Sequence, residues 1–484
     1  MNYSILSSVI CFVGIFLLLP AATAGIYQEK EGFLYLIIGL ACMLIGFWGR
    51  RRKPKSSVFY SKEGFAAVAL SWIILSLIGA LPMYLTGEFP SYIDALFETI
   101  SGFTTTGSSI LSDVETLSRG TAFWRCFTHW IGGMGVLVFI MAVMPLSDSS
   151  SMHLMRAESP GPSVGKLVPK VKTTAMILYG IYVVFTVIEI IALLIAGMPL
   201  FDSMTLTFGT VGTGGFGLLN SSIASYSTAV QIIITVFMII CSINFTVYYM
   251  FLIKRPKEAL MCEEMRYYLL IVFGSALLIA FNIRASFASF GKAFQQAIFQ
   301  VASVISTTGF ATADFNLWPE FSRMILVLLM FVGACAGSTG GGFKVSRLII
   351  MVKSVRNEIM SVTHPRSVQK VHMDGRRIPD NVVKTVLCYL AGYVVILIVS
   401  VLLISLDNFD MTTNFTAVMA TFNNVGPGLN RVGPTGNFGG FSVLSKLVLM
   451  FDMLVGRLEL YPMLVIFAPG LWRIHPHRHV GKVQ

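Results

Sequence analysis

The stretch Gly102-Phe103-Thr104-Thr105-Thr106-Gly107-Ser108 is small, neutral and rich in hydroxyls and glycine, and it lies between apolar runs. The same pattern returns as Thr213-Gly214-Gly215-Phe216, Ser306-Thr307-Thr308-Gly309-Phe310 and Asn424-Val425-Gly426-Pro427, each copy falling between one long apolar run and the next. The anchor glycines are Gly107, Gly215, Gly309 and Gly426. Glycine reaches left-handed backbone angles and lets main chain approach a ligand closely. With small uncharged neighbours, carbonyl oxygens become the principal polar groups, and these are the ligands a dehydrating alkali cation needs. Four copies of one unit imply four walls around one axis.

A second chemical feature is Gly333-Ala334-Cys335-Ala336-Gly337-Ser338-Thr339-Gly340-Gly341-Gly342-Phe343-Lys344, which interrupts an apolar helix that resumes at Val345. Each of its glycines costs a helix about 1 kcal/mol relative to alanine, so an intramembrane loop is expected. Gly337 to Lys344 looks superficially like a phosphate-binding loop, but Phe343 separates Gly342 from Lys344 and no Gly-Lys-Ser/Thr exists. A loop obstructing a pore beneath the glycine ring suits the context better. Arg457 lies inside the last apolar run with Asp452 and Glu459 nearby. An arginine at mid-membrane costs about 2.5 to 3.5 kcal/mol on insertion scales, so it faces protein. Three roles stand open: a salt bridge locking helices, a donor to carbonyls of the glycine-rich loop, or a fixed positive barrier in an ion path.

Other candidates carry less. Gly212-Thr213-Gly214-Gly215-Phe216-Gly217 lacks the following amphipathic helix and the acidic residue of a dinucleotide site. His129 reads as a helix-packing histidine rather than a ligand. No zinc-protease motif, paired intramembrane aspartates or activated serine appears, so no enzyme is expected.

The elements that must position these residues follow from composition. The chain has 484 residues, is 55% hydrophobic and 12% charged, and has a mean hydropathy of +0.76. That composition excludes an ordinary soluble globule. A net charge of +11 could suggest nucleic acid. Most basic residues, however, cluster in Arg50 to Lys62, Arg156 to Lys172, Lys254 to Arg266, Lys353 to Lys384 and Arg473 to Lys482, which share one side when the apolar runs are threaded alternately. The seven cysteines show no Cys-x-x-Cys and read as small hydrophobes. The first run, Ile5 to Leu19, precedes an Ala22-Thr23-Ala24 that resembles a signal cleavage site, but no basic residue comes before it. It is read as a membrane helix.

The expected fold is an all-α polytopic membrane protein. Two transmembrane helices (Ile5 to Leu19, Phe33 to Trp48) precede four pseudo-symmetric repeats of helix, pore half-helix, filter and helix around one pore. The half-helices are expected at Ser91 to Ser101, Leu200 to Gly209, Lys292 to Val304 and Asp410 to Thr421. The first, at about 1.5 Å per residue, reaches only about 16 Å, half a bilayer. The flanking long helices are expected at Phe65 to Leu85 and Thr121 to Met144, Thr173 to Ile195 and Ala229 to Ile253, Tyr267 to Phe281 and a helix from Phe321, and Val382 to Leu406 and Phe441 to Phe467. The corresponding units are 1–62 for the helices and basic linker before the repeats, then 63–150, 151–265, 266–365 with the glycine-rich loop, and 366–484. Half-helix C-termini aim partial negative charge at the motifs, which favours a cation. Acidic residues gather in the outer connections (Glu88, Asp94, Glu98, Asp113, Glu115, Asp202, Asp314, Glu320, Asp407 and Asp410), either as a negative vestibule or as loop solvation and caps.

Together with Trp130-Ile-Gly-Gly-Met-Gly135, Arg156-Ala-Glu-Ser-Pro-Gly-Pro162, Ala336-Gly-Ser-Thr-Gly-Gly-Gly342 and Asn424-Val-Gly-Pro-Gly-Leu429, this repeat pattern resembles the Trk/Ktr/HKT superfamily of potassium transporters, in its bacterial TrkH branch. The resemblance covers nearly the whole chain, including the two additional N-terminal helices. It implies a K+ selectivity filter of Thr105, Thr106, Gly107, Thr213, Gly214, Gly215, Thr307, Thr308, Gly309, Asn424, Val425 and Gly426, related to the potassium-channel Thr-Val-Gly-Tyr-Gly loop. Glycine at all four anchors favours potassium, since sodium-selective plant relatives often carry serine at the first. It further implies a gate of Gly333, Gly337, Ser338, Thr339, Gly340, Gly341, Gly342, Lys344 and Arg457. It implies K+ as the transported ion with no bound cofactor, and a homodimer with one pore per protomer. A cytosolic TrkA/KtrA-like ring of nucleotide-binding subunits is implied as well, with the basic Lys353 to Lys384 connection as its contact. The setting implied is the plasma or inner membrane with both termini cytoplasmic, and no nucleic acid. A cation-coupled carrier, by Na+ or H+ symport or for a small organic solute, is the alternative, and it predicts two-fold inverted repeats.

Overall fold

The computed structural model describes residues 3–51, 61–135, 171–366 and 369–467. The Arg156 to Pro162 motif, the basic stretch from Arg473 and the expected end of a helix at Met144 lie outside these residues. Among the described residues six helices are long and apolar enough to cross a membrane, or seven if one sharply bent pair counts as a span. The first two, α1 (Tyr3–Ile26) and α2 (Gly32–Arg50), pack together ahead of the repeats.

Each repeat then places a short helix between long ones. The first contains α3 (Ser61–Leu85), α4 (Tyr92–Phe103) and α5 (Arg119–Gly133). In the second are α6 (Val171–Ile195), α7 (Leu200–Val211), α8 (Thr228–Cys241) and α9 (Phe245–Leu252), with a one-turn α10 (Pro256–Leu260) in the connection that follows. The third comprises α11 (Glu263–Ile283), α12 (Phe290–Ile305), α13 (Glu320–Val332) and α14 (Val345–Thr363). After a small antiparallel hairpin, β1 (His372–Met373) with β2 (Arg376–Arg377), the fourth brings α15 (Asp380–Ile404), α16 (Met411–Phe422), α17 (Val443–Leu458) and α18 (Leu460–Ile466).

The burial pattern suits lipid rather than water. The short helices α4, α7, α12 and α16 are largely buried and bring hydroxyls inward, among them Thr99, Thr207, Ser303 and Thr421. The long helices expose apolar faces, such as Val184, Val187 and Ile191 on α6 and Val395, Ile398 and Leu402 on α15. Short helices with many hydroxyls are viable at membrane depth only inside such a protein wall.

Two helices expected as continuous are broken. The run Ala229 to Ile253 bends by 88° between α8 and α9. Asn244 caps the second piece, its side chain accepting from Thr246 N at 2.9 Å. The run Phe441 to Phe467 breaks at Glu459, whose φ is 65°. Each break frees main-chain groups that a continuous helix would consume.

Candidate functional site

All four pore helices end alike. The amides of Thr105, Thr213, Thr307 and Asn424 donate to the carbonyls three residues back, and those of Thr106, Gly214, Thr308 and Val425 donate five residues back, at 2.7 to 2.9 Å for the second set. That pair of bonds is the Schellman termination, which needs a left-handed residue at its first position. The φ values there are 54°, 55°, 60° and 53°. Threonine is β-branched and strongly disfavours this region, so three of the four segments hold local strain that the surrounding packing enforces.

Two residues later the chain turns left-handed again, at Gly107, Gly215, Gly309 and Gly426, with φ of 80°, 81°, 86° and 100°. Each anchor glycine is seated against the next repeat. A Cβ at Gly107 would strike the Gly214 carbonyl oxygen, at Gly215 that of Thr308, at Gly309 that of Val425, and at Gly426 that of Thr106 at 2.7 Å. The sequence of neighbours therefore runs first to second to third to fourth and back to first. Four equivalent carbonyls, one from each segment, close a ring.

Side chains behind the ring tie the repeats together. His129 on α5 contacts the Gly102 carbonyl through Nδ1 at 2.8 Å, and its Nε2 accepts from the Phe216 amide at 3.2 Å. This histidine is a clamp between the first and second segments, in line with its reading as a packing residue. Buried Glu98 accepts from Arg125 Nε at 2.6 Å and from the Ile110 amide at 3.0 Å, while Arg125 Nη1 donates to the Gly217 carbonyl at 3.0 Å. Asn424 Nδ2 donates to Thr106 Oγ1 and to the Met453 carbonyl, each at 2.9 Å. Lys446 on α17 pairs with Asp94 on α4 at 2.6 Å, joining fourth repeat to first.

Outside the ring lies a depression lined by all four anchor glycines together with Ser108 and Asn437. Arg125 also lines it, its charge balanced by Glu98. The ten outer acids have partners inside the protein. Glu88 holds Ser118 N, Asp202 takes Tyr226, Asp407 takes Ser442 N, Asp113 and Glu115 bind Asn220, Asp314 and Asp410 cap short helices, and Glu320 pairs with Arg323. The arrangement favours capping over a free negative vestibule.

Below the ring the glycine-rich loop fills the space between α13 and α14. Gly341 N donates to Thr307 Oγ1 at 2.6 Å, and a Cβ at Gly340 would meet the Ser306 carbonyl at 2.8 Å. The freed groups at the α8 break serve the loop: Cys335 N donates to the Ser242 carbonyl and Phe245 N to that of Gly337, each at 3.0 Å. Glu264 on α11 accepts from Ala336 N at 2.7 Å and Ser346 N at 3.1 Å, and Lys344 Nζ turns back onto the Gly340 carbonyl. Arg457 Nη1 donates to the Thr339 carbonyl at 2.8 Å, and Nη2 reaches the carbonyls of Gly132 and Gly133 in the first repeat. The loop donor is among the roles open to Arg457 that this geometry displays, and Glu459 pairs with Arg347 at 2.5 Å.

Sequence reasoning names residues that the structure brings together and reads His129 as packing, but misses three of the supports: the Glu98–Arg125 pair, Glu264 and the α8 break. A polar Ser242-Ile243-Asn244 inside an apolar run was the available signal for the break.

The TrkH family model, described as cation transport protein, matches residues 36–474. The chain is 35% identical over 477 residues to the Trk system potassium uptake protein TrkH of Salmonella typhimurium, spanning 96% of this chain and 97% of that one. It is 34% identical over 490 residues to the protein of that name from Vibrio parahaemolyticus, spanning 96% and 99%. The crystal structure of the potassium transporter TrkH from Vibrio parahaemolyticus superposes with a TM-score of 0.87 at 30% identity, covering 97% of this chain and 99% of that chain.

Proposed function

This chain belongs to the TrkH family of cation transport proteins, and from that premise we propose that it carries potassium into the cell through the ring of four main-chain carbonyls. The observation that supports the reading most directly is the cyclic seating of each anchor glycine against the next repeat's carbonyl oxygen. Such oxygens replace the water around a K+ ion, and the ring is held from behind rather than by the ion itself. Half-helix C-termini add negative potential at the same point. The membrane potential supplies about 2.3 kcal/mol per charge per 100 mV, so inward movement needs no chemical step.

The filter in this proposal comprises Thr105 to Gly107, Thr213 to Gly215, Thr307 to Gly309 and Asn424 to Gly426. The gate is the loop from Gly333 to Lys344, held by Arg457. The protein works as a homodimer with a pore in each protomer. Cytosolic nucleotide-binding subunits act on the loop through the basic stretch from Lys353, on α14, to Lys384, on α15; α14 begins where the loop ends. Both termini face the cytoplasm. The unit boundaries proposed from the sequence follow the same four repeats.

Flux into vesicles reconstituted with the purified chain tests this. Entry of K+ and Rb+ well above Na+, with no entry of uncharged solutes, is expected. Uptake of an organic solute at a rate comparable to K+ would replace the proposal with a secondary carrier.

A further inference from the structure

The left-handed residue of each segment carries a side-chain oxygen: Thr105, Thr213, Thr307 and Asn424. Their surroundings differ. Thr105 Oγ1 and Asn424 Oδ1 are fully buried and find no hydrogen-bond partner among the described residues. Thr213 Oγ1 turns onto the adjacent Gly212 carbonyl at 2.7 Å. Thr307 Oγ1 accepts the Gly341 amide of the loop at 2.6 Å. A Cβ at Gly341 would lie 2.7 Å from the Asn423 carbonyl oxygen and 3.2 Å from Asn424 Oδ1, so the loop backbone is pressed into the corner between the third and fourth segments. One N–H is thus aimed at one of these oxygens and lies beside another that has no partner.

Resting on the reading of these segments as a cation filter, we propose that the Thr307 hydroxyl oxygen serves two exclusive partners: the Gly341 amide when the loop is closed, and the transported cation when it is open. An N–H group presents the positive end of its dipole. A cation beside Thr307 Oγ1 would meet that positive end, and it would also meet the loop backbone in the space it needs. Buried oxygens without partners, such as Thr105 Oγ1 and Asn424 Oδ1, are costly unless a positive group satisfies them. The closed loop satisfies Thr307 and leaves those two unmet, whereas a cation among these oxygens satisfies all three. Because linkage is reciprocal, a loop that lowers cation affinity there is itself loosened by the cation, by the same factor. Gating then has a component that senses potassium within this chain, before any regulatory partner acts.

Hydrogen exchange of the loop peptide spanning 333–344 tests this on the purified full chain in lipid nanodiscs. KCl is compared with N-methylglucamine chloride at equal ionic strength, and thermal unfolding is followed in parallel. In the unmodified protein K+ is expected to speed loop exchange about five-fold, the effect of one net hydrogen bond. Thr307→Val keeps the side-chain shape and removes the acceptor. It should exchange about five-fold faster without K+ and lose the K+ response, while Thr307→Ser should retain both behaviours. If K+ raises the unfolding temperature but leaves loop exchange unchanged, the competition is wrong and the filter reading stands. If K+ stabilises no better than Na+ or N-methylglucamine, the filter reading fails and this inference with it. Loop exchange in Thr307→Val equal to that of the unmodified protein would also overturn the competition.

Discussion

Arg457 Nη1 donates to the carbonyl oxygen of Thr339 at 2.8 Å, fastening the last long helix of the chain to the middle of the glycine-rich loop. Its other terminal nitrogen reaches back to the end of α5, so one guanidinium joins parts of the first, third and fourth repeats. Five donors in a rigid fork suit arginine to such multiple carbonyl contacts, and a lysine would satisfy fewer of them.

Arg457→Ala should therefore release the loop. Charge-assisted hydrogen bonds contribute about 1.5 to 3 kcal/mol each, so losing them predicts at least a roughly tenfold rise in unregulated Rb+ flux from vesicles. Arg457→Lys should fall between the two. Unchanged flux in both Arg457→Ala and a variant with part of the loop deleted would count against the gate assignment.

Gly107→Ser introduces a Cβ where the Gly214 carbonyl already sits, at a left-handed φ of 80°. The first two segments must part, enlarging the ring on one side and loosening its hold on a dehydrated ion. A several-fold drop in the K+ to Na+ permeability ratio is expected from reversal potentials. Unaltered selectivity would mean that the first segment does not line the filter.

His129 has one nitrogen against the Gly102 carbonyl and the other accepting from Phe216 N, which requires the neutral ring with its proton on Nδ1. His129→Phe preserves bulk but leaves the Phe216 amide buried without its acceptor, at about 1 to 3 kcal/mol, while the Gly102 carbonyl keeps only the Thr105 amide. Lower thermal stability together with weaker ion discrimination is expected. Lost stability with intact selectivity would confine His129 to packing.

Asp410 caps α16 through the Thr413 amide, and hydrogen bonds from Thr413 above all, and from Asn430, hold its carboxyl below the ordinary value of 3.8. A depressed value means that the stabilisation is present above the ordinary value and fades as pH falls through the folded one. Asp410→Ala should cost about 1 kcal/mol at neutral pH, and the difference from the unmodified protein should shrink as pH falls through the depressed folded-state value. Thermal unfolding against pH measures it, and a difference that persists in acid would contradict the cap.

Much of this was legible in advance, because lipid imposes a simple grammar. Apolar runs of about 20 residues mark spans, and shorter runs followed by a small, glycine-anchored motif mark half-helices. The first half-helix, expected at Ser91 to Ser101, forms from Tyr92 to Phe103, and the fourth, expected from Asp410, starts at Met411 with Asp410 as its cap. What stayed hidden depends on partners distant in the chain. The break after Cys241 contains neither glycine nor proline, and its exposed backbone groups make sense only once the loop that binds them, nearly a hundred residues later, is in place. The left-handed threonines escaped notice for a related reason. Local preference argues against them, and only the convergence of all four segments holds them there.

The ring is written into a single polypeptide, and that changes how it can evolve. A pore assembled from four identical subunits meets every substitution four times over, so most innovations near the ion arrive as an all-or-nothing jump. Here a codon change alters one quadrant and leaves three untouched. Asn424 standing where its counterparts are threonine, and Ser108 where the others carry Phe216, Phe310 and Pro427, are departures of that size. Under the proposed filter role, selectivity can therefore be altered one quadrant at a time.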